Sequence, residues 1–395
     1  MTNARLLMST RALRGFGDGF TALLLPVYLI GMGLSAFQVG VVATAAMLGS
    51  AVLTLGVGLA GHRVSARGLL LVSCGLMFLT GLGFSQAHAF WPLLIVAFVG
   101  TLNPSSGDVS VFVPLEQAMM AHAGPDSERT SRFAAYNVAG ALGVALGALS
   151  VGLVDPLAAG LGWGRPQVIE AAFVLYGLIG VAVFLLYRRL PEETAEASAL
   201  RTGLGPSKKR VFQLAALFSL DSFGGGFLVQ SLLALWLFDR FGLTLATAGA
   251  FFFWTGLLTA GSQFAAGRIA KRFGLINTMV FTHIPANLCV VAAAFAPTLP
   301  IALGLLTVRS ALSSMDVPAR TSYVMAVVTP AERAAAAGVT NVPRSLAAAL
   351  SPALAGALLT AYVFPWPLLI GGGLKVAYDL LLLNQFRHVK PPEEL

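Results

Sequence analysis

Two stretches of the chain read alike, ERTSRFAAYNV at residues 128–138 and ERAAAAGVTNV at residues 332–342. Both begin with Glu-Arg and end with Asn-Val, at the same spacing. Similarity within one chain at a fixed offset is typical of a protein built from two copies of one structural unit. The pair therefore predicts a duplicated architecture.

Further segments match in the same order along the chain: GLSAFQVG (33–40) with GLTLATAG (242–249), GLAGHR (58–63) with GRIAKR (267–272), and PLEQAMMA (114–121) with PARTSYVMA (318–326). Apolar helices resemble one another by chance, but chance explains the matched loop residues poorly. We therefore predict two bundles, residues 1–187 and 211–395, joined by the polar segment 188–210. Two parallel repeats joined by a linker are typical of transporters.

The composition is that of a membrane protein. Of the 395 residues, 57% are hydrophobic and 11% are charged, and the mean hydropathy is +0.81. A soluble protein carries about 25% charged residues. Apolar runs of about 18 residues or more recur along the chain, and each could cross a bilayer. The first run is followed by many others, so we expect a retained helix rather than a cleaved signal peptide.

The sequence thus predicts an all-α membrane protein with about twelve transmembrane helices in two six-helix pseudo-repeats. The expected spans are 10–31, 37–60, 68–86, 90–122, 131–154, 166–187, 211–238, 244–267, 275–296, 298–327, 334–361 and 366–386.

The net charge of +8 does not indicate nucleic acid as a partner, because the basic residues gather in short loops between apolar runs. An excess of Lys and Arg is typical of cytoplasmic loops. We therefore expect both termini and the segment 188–210 to be cytoplasmic. The expected protein is a monomer in the lipid bilayer of a bacterial plasma (inner) membrane.

The chain resembles the major facilitator superfamily over essentially its full length. In that family the loop between helices 2 and 3 reads Gly-x-x-x-Asp-Arg-x-Gly-Arg-Lys/Arg. The motif residues present in the two copies here are Gly58, Arg63, Arg67, Gly267, Arg272 and Gly274. His62 and Lys271 stand where the family has its aspartate, which departs from the charge lock that this aspartate forms. The resemblance implies that helices 1, 4, 7 and 10 line a central cavity.

Helix 10 carries three charges in RSALSSMDVPAR, residues 309–320. The spacings between Arg309, Asp316 and Arg320 place all three within about 40° of one another on a continuous helix. Because a charge facing lipid is costly, this stripe is expected to face inward, with Arg309 near mid-membrane. The four-residue spacing also predicts an ion pair between Asp316 and Arg320.

Other intramembrane charges are expected to join two sites. The substrate or proton-coupling candidates are Asp18, Asp108, Asp221 and Arg309, of which Asp18, Asp221 and Arg309 are expected to meet near mid-membrane. The expected cytoplasmic gate consists of Glu116, Arg129, Asp316, Arg320, Glu332 and Arg333, with Arg132. Asn103 to Gly107, with Pro104 and Pro114, are expected to interrupt helix 4.

Alternatives remain open for several of these residues. Asp18 could instead pair with Arg14, and Lys375 could either reach the membrane surface or pair across helices. Asp221 lacks a cation within one turn of its own helix, so it needs a partner from elsewhere or a proton. A core role is expected for His283.

The expected function is secondary active transport of a small organic solute by alternating access, coupled to protons. No G-x-x-x-x-G-K-[ST] loop, H-E-x-x-H motif or C-x-x-C pair occurs in the sequence, so we expect no enzyme, cofactor or metal. Arg309 suits a carboxylate or phosphate on the solute, whereas Asp18 and Asp221 suit a cation, as in a multidrug exporter. A membrane sensor or scaffold is the alternative from a different class.

Overall fold

The computed structural model describes residues 3–60, 65–105, 110–121, 129–191, 205–329 and 332–389. These residues form sixteen α-helices: α1 (Asn3–Gly31), α2 (Ala36–Ala60), α3 (Ala66–Gln86), α4 (Phe90–Val99), α5 (Phe112–Ala121), α6 (Arg129–Ser150), α7 (Val154–Leu161), α8 (Arg165–Tyr187), α9 (Lys208–Gly226), α10 (Gln230–Phe241), α11 (Leu245–Phe273), α12 (Leu275–Ala294), α13 (Leu299–Leu312), α14 (Asp316–Ala326), α15 (Arg333–Ala361) and α16 (Trp366–Phe386).

Ten stretches within the described ranges are helical, long enough and apolar enough to cross a membrane. This confirms an all-helical membrane protein. The two predicted spans missing from the ten are 90–122 and 298–327. Each of them is divided into two shorter helices, α4 with α5 and α13 with α14. The region near 155–165, expected to be a loop, contains the short helix α7.

The interruption of helix 4 lies where the sequence predicts it. Helix α4 ends at Val99, and residues 100–105 are not helical. Asn103 Oδ1 accepts hydrogen bonds from the backbone N–H of Ser105 at 3.1 Å and from its hydroxyl at 2.8 Å. Such local bonds compete with helix formation. Pro114, by contrast, lies in the first turn of α5, where its missing N–H leaves no bond unmade.

The interruption of the tenth predicted span, 298–327, overturns the predicted stripe of three charges on one helix. Helix α13 ends at Leu312, and α14 starts at Asp316. Pro318 explains the break, because it cannot donate to the carbonyl of Ser314 and its ring would clash with that carbonyl. Arg309 therefore lies on a different helix from Asp316 and Arg320.

The chain forms two compact units, called unit 1 (Met1–Ala197 with Val229–Gly256) and unit 2 (Ser198–Leu228 with Leu257–Leu395). The division into two bundles joined by residues 188–210 stays a prediction. Helix α10 and the beginning of α11 belong to unit 1 although they follow that segment in sequence.

In unit 1, helices α1 and α6 approach each other through glycines. A Cβ atom on Gly147 would lie 2.0 Å from the carbonyl oxygen of Phe16, and one on Gly143 would lie 2.2 Å from that of Ala12. From the α1 side, a Cβ atom on Gly19 would lie 2.1 Å from the Val144 oxygen. Small residues allow helix backbones to approach closely in membranes. Gly143 and Gly147 therefore allow α6 to pack closely against α1.

In unit 2, one hydrophobic core draws on α9, α12, α14 and α16. Its fully buried members include Leu214, Met279, Tyr323 and Tyr378, one from each helix. This packing brings together the four helices that carry the buried residues Asp221, His283, Asp316, Arg320, Lys375 and Asp379.

Substituting alanine at Gly147 should lower stability by about 1–3 kcal/mol, because the added methyl overlaps backbone that cannot move independently. The matched control is Gly56→Ala on α2, where nothing lies within 4 Å of the added methyl. The control should be neutral, or stabilising by up to about 1 kcal/mol through helix propensity. Unfolding of the purified protein in mixed micelles measures both. Equal stability of the two variants would contradict the close α1–α6 packing.

Candidate functional site: two buried charge clusters

Buried polar side chains form one cluster in each unit. The Glu116 cluster of unit 1 consists of Thr10, Arg14, Glu116, Tyr136 and Tyr187. The Asp221 cluster of unit 2 consists of Asp221, His283, Asp316, Arg320, Lys375 and Asp379.

In the Glu116 cluster, a fully buried carboxylate is surrounded by donors. Oε1 of Glu116 accepts from the Thr10 hydroxyl at 2.9 Å and from Tyr187, while Oε2 accepts from Tyr136 and pairs with Arg14. The Arg14 guanidinium also lies 4.2 Å from the centre of the Phe112 ring. A buried ion pair is tolerated when further hydrogen bonds satisfy its remaining lone pairs, as they do here.

The residues around Glu116 come from α1, α6 and α8, so this cluster fixes the middle of helix α5 against three neighbours. Asp18 is buried on α1, one turn after Arg14. Asp108 and Arg63 lie outside the described residues, as does the side chain of Arg129.

In the Asp221 cluster, Asp221 on α9 binds cations from two other helices. Its Oδ1 lies 2.6 Å from Lys375 Nζ on α16, and its Oδ2 lies 3.1 Å from Arg320 Nη1 on α14. Arg320 also pairs with Asp316, the residue one turn earlier, at 3.4 Å. Asp221 thus has the partners from elsewhere that the sequence required, and the lack of a fixed partner no longer argues for a proton on Asp221 itself.

His283 on α12 extends this cluster to a third carboxylate. Its Nδ1 lies 2.9 Å and 3.1 Å from the two oxygens of Asp379, and its Nε2 lies 3.9 Å from Asp221 Oδ1. Asn287, one turn along α12, donates to Asp379 at 3.4 Å. The imidazole is therefore held between two acidic side chains.

Sequence reasoning missed Asp379 and Asn287 and left Lys375 undecided. The structure shows that Lys375 pairs across helices. A usable signal was present, since Lys375 and Asp379 stand four residues apart in an otherwise apolar helix of 21 residues. Ionisable residues inside a membrane helix are functional candidates by default, and this spacing puts both on one face.

Arg309 differs from the clustered residues. It is half-buried on α13, its Nε is shielded from solvent, and within the described residues it makes no hydrogen bond or ion pair. Asp221 takes its cations from α14 and α16 instead. The expected meeting of Asp18, Asp221 and Arg309 stays a prediction, because Asp18 belongs to unit 1 and the other two to unit 2.

Glu332, expected in the gate, accepts hydrogen bonds from the end of the segment that joins the two predicted bundles. Its carboxylate accepts from the hydroxyls of Ser207 and Thr329, both at 2.7 Å, and from the backbone N–H groups of Gly205 and Ser207. These bonds, led by those from the two hydroxyls, lower the pKa of Glu332 from 4.5 to about 2. The neighbouring Arg333 is exposed and donates to the Met325 carbonyl at 3.2 Å.

The expected gate residues take part in different interactions within their own units. Glu116 is in the Glu116 cluster, Asp316 and Arg320 are in the Asp221 cluster, and Glu332 lies at the joining segment. A gating role for them stays a prediction. Of the motif residues, Gly58 lies in the last turn of α2, whereas Gly267 and Arg272 are exposed on α11. Within the described ranges, no group of three or more His, Cys, Asp or Glu could hold a metal.

Ten candidate spans with buried ion pairs define a polytopic helical membrane protein. Residues 7–315 match the family model of the Major Facilitator Superfamily, and the chain belongs to that family. The resemblance noted from the sequence is thereby confirmed. Family membership makes the chain a membrane transporter by class.

Similar proteins include a membrane protein of yeast and two transporters of known structure. An uncharacterized membrane protein of Saccharomyces cerevisiae is 26% identical over 97% of this chain and 93% of its own length. Among solved structures, a variant of the nucleoside transporter NupG has a TM-score of 0.79 at 14% identity, covering 97% of this chain and 100% of that one. The xylose transporter XylE from E. coli has a TM-score of 0.74 at 15% identity, covering 99% and 98%. At these identities the structures show the fold alone.

Replacing Glu116 by leucine should destabilise the protein by about 3–5 kcal/mol, because Arg14 would keep a buried charge without its partner. The double variant Arg14→Met/Glu116→Leu should lose less than Glu116→Leu alone. Unfolding in mixed micelles gives the four stabilities of this double-mutant cycle. As a control, Asp155→Asn breaks the exposed pair with Arg165 (2.8 Å) and should change stability by less than about 1 kcal/mol. A double variant less stable than Glu116→Leu would contradict the interpretation.

Substituting alanine at Glu332 should accelerate hydrogen exchange at the Gly205 and Ser207 amides by about two- to tenfold, the effect of losing one hydrogen bond. Because the pKa of Glu332 is lowered, its stabilising effect is full above the ordinary value of 4.5 and is lost as the pH falls through about 2. Exchange measured by mass spectrometry between these limits tests both statements. Arg333→Ala is the control and should leave these amides unchanged; equal acceleration in both variants would refute the role of Glu332.

Proposed function

We propose that this chain is a secondary transporter that moves a small organic solute bearing an anionic group by alternating access, with protons as the coupling ion. The observation that carries the choice of solute is Arg309, a guanidinium in the membrane region with no partner within the described residues. A cation partly withdrawn from water is unfavourable without a partner, and an anionic ligand would reduce that cost.

The depth of Arg309 supports this role. It is the eleventh residue of α13, which begins at Leu299. At about 1.5 Å per residue it lies roughly 15 Å along the helix, half of a hydrocarbon core about 30 Å thick. The planar guanidinium can bind a carboxylate or phosphate through two parallel hydrogen bonds, which a lysine cannot do.

The alternative, a cationic solute, is less well supported. It needs a buried carboxylate that is available to the solute. Asp221, one of the two carboxylates expected to serve it, already binds Lys375 and Arg320. A cation would have to displace one of these two fixed cations, whereas an anion at Arg309 displaces nothing in the described residues.

Proton coupling is supported by the Asp221 cluster, where the imidazole of His283 stands between two carboxylates. Histidine is the side chain whose ordinary titration range includes physiological pH. A buried histidine within an ion-pair network links the protonation of one group to contacts between four helices, α9, α12, α14 and α16.

The test is a thermal-shift screen of the purified protein in detergent against organic anions, cations and neutral solutes. A ligand that binds only the folded state raises the melting temperature, by the equivalent of about 2.7 kcal/mol at a hundredfold excess over Kd. We expect an anion to stabilise the wild type, with the shift lost in Arg309→Ala and reduced in Arg309→Lys. Arg272→Ala, at an exposed arginine on α11, is the control and should keep the full shift.

Two results would sink the proposal for an anionic solute. One is stabilisation by cations that is equal in the wild type and in Arg309→Ala. The other is an anion shift that survives in Arg309→Ala, because the anion would then bind elsewhere.

A further inference from the structure

The charges of the Asp221 cluster do not balance without an additional proton. Its three carboxylates face two permanent cations, so the cluster carries a net charge of −1 when the imidazole is neutral and 0 when it is protonated. All members are nearly inaccessible: Asp221 4%, His283 3%, Asp316 4%, Arg320 5%, Lys375 9% and Asp379 0% exposed. A net charge enclosed at this depth is unfavourable, so the protonated form has an electrostatic advantage.

The geometry also gives the proton a defined position. Nδ1 of His283 faces both oxygens of Asp379, so an Nδ1–H bond is donated on that side. The other nitrogen, Nε2, lies 3.9 Å from Asp221 Oδ1. In the neutral imidazole, this Nε2 lone pair faces a carboxylate, which is repulsive. In the protonated form an Nε2–H replaces the lone pair, and both ring nitrogens point N–H groups at acidic partners.

We infer that His283, clamped between Asp379 and Asp221, is the site at which the protein binds and releases its coupling proton. This inference rests on the proton coupling proposed above and names its residue. On binding, the Nε2 lone pair takes a proton from a hydronium ion, so one O–H bond breaks, one N–H bond forms and water is left; on release the N–H bond breaks and a water molecule takes the proton. No other covalent bond changes, and the net charge of the cluster alternates between 0 and −1.

Proton binding at this position would change the forces on neighbouring helices. Oδ1 of Asp221 is the oxygen nearest to both Lys375 Nζ, at 2.6 Å, and His283 Nε2. When His283 is protonated, Asp221 has cationic partners on α12, α14 and α16. After release, the attraction to α12 is lost and Asp221 depends on Lys375 and Arg320 alone. The protonation state therefore alters how strongly α9 is held to α12.

Several other charged or titratable groups lie on the helices packed around His283. Those on the helices of the cluster are Asp221 (α9), Asp316 and Arg320 (α14), and Lys375, Tyr378 and Asp379 (α16). Arg309 of α13 makes no hydrogen bond or ion pair with His283 in the described residues. Arg344 of α15 donates to the Ser222 hydroxyl at 2.8 Å. The Tyr378 ring packs edge-on against the imidazole, with centroids 6.1 Å apart.

Nitrogen NMR of the full-length protein labelled at its histidine side chains tests the site directly. The chain has five histidines, so the His283 signal can be assigned by its loss in His283→Gln. As the pH is lowered, we expect the His283 Nε2 signal to change from the unprotonated to the protonated form. In Asp379→Asn, the His283 Nε2 signal should not change to the protonated form over the pH range in which it does so in the wild type. His88, whose side chain is 63% exposed and whose Nδ1 lies 3.9 Å from Glu170, serves as control and should titrate identically in both proteins.

Transport by reconstituted vesicles tests coupling separately. With a solute identified by the thermal-shift screen, the wild type should accumulate it in response to a pH gradient. Asp379→Asn and His283→Gln should lose the gradient-driven component while retaining solute exchange at equal pH. His88→Gln should behave as the wild type in both assays.

The two proposals can fail independently. If no solute binds or moves, the proposed function fails, and the NMR titration still decides the proton site. The proton site is overturned if the His283 signal keeps one protonation state from pH 5 to 9 in the wild type. It is equally overturned if gradient-driven accumulation is undiminished in both His283→Gln and Asp379→Asn while these variants remain folded.

Discussion

The ion pairs of Asp221 with Lys375 and Arg320 are the interaction on which the interior of unit 2 depends. A carboxylate in a hydrocarbon environment is unfavourable unless it is paired, and each partner here comes from a different helix. The requirement for partners therefore fixes how α14 and α16 are rotated relative to α9. Hydrophobic packing alone would not fix this register, because lipid is as apolar as the side chains and a rotated helix could find equivalent contacts.

The two buried clusters solve the same problem with different results. In the Glu116 cluster, one cation pairs with one carboxylate, and the hydroxyls of Thr10, Tyr136 and Tyr187 donate the remaining hydrogen bonds to that carboxylate. That arrangement is satisfied in one protonation state and suits a structural anchor. In the Asp221 cluster, three carboxylates face two permanent cations, so the charges of the cluster balance only when the histidine is protonated. The same low-dielectric environment that makes the first cluster rigid makes the second responsive to a proton.

Interrupted helices accompany these charges. The breaks between α4 and α5 and between α13 and α14 occur beside Pro or Asn residues, which remove helical hydrogen bonds or compete with them. In a membrane, such breaks are tolerated where the backbone is buried in protein or borders water. The break between α13 and α14 also separates Arg309 from Asp316 and Arg320. Arg309, which has no partner in the part of the chain that the structure describes, and the ion-paired residues thus lie on separate helices.

The sequence by itself determined the class of fold and the presence of costly charges within the membrane. Hydrophobic runs, loop motifs and composition are local properties, so they can be read without coordinates. It also located the interruption of helix 4 and the ion pair of Asp316 with Arg320, since both depend on residues close in sequence. Only the tertiary structure decided which charges meet. The partners of Asp221 lie 99 and 154 residues away, Asp379 lies 96 residues from His283, and Arg14 lies 102 residues from Glu116. A four-residue spacing predicts a contact on one helix, but no spacing predicts which faces of separate helices will turn towards each other. For that reason His283 was expected to have only a core role, and Asp379 was not recognised, until the packing of α12 against α16 placed them together.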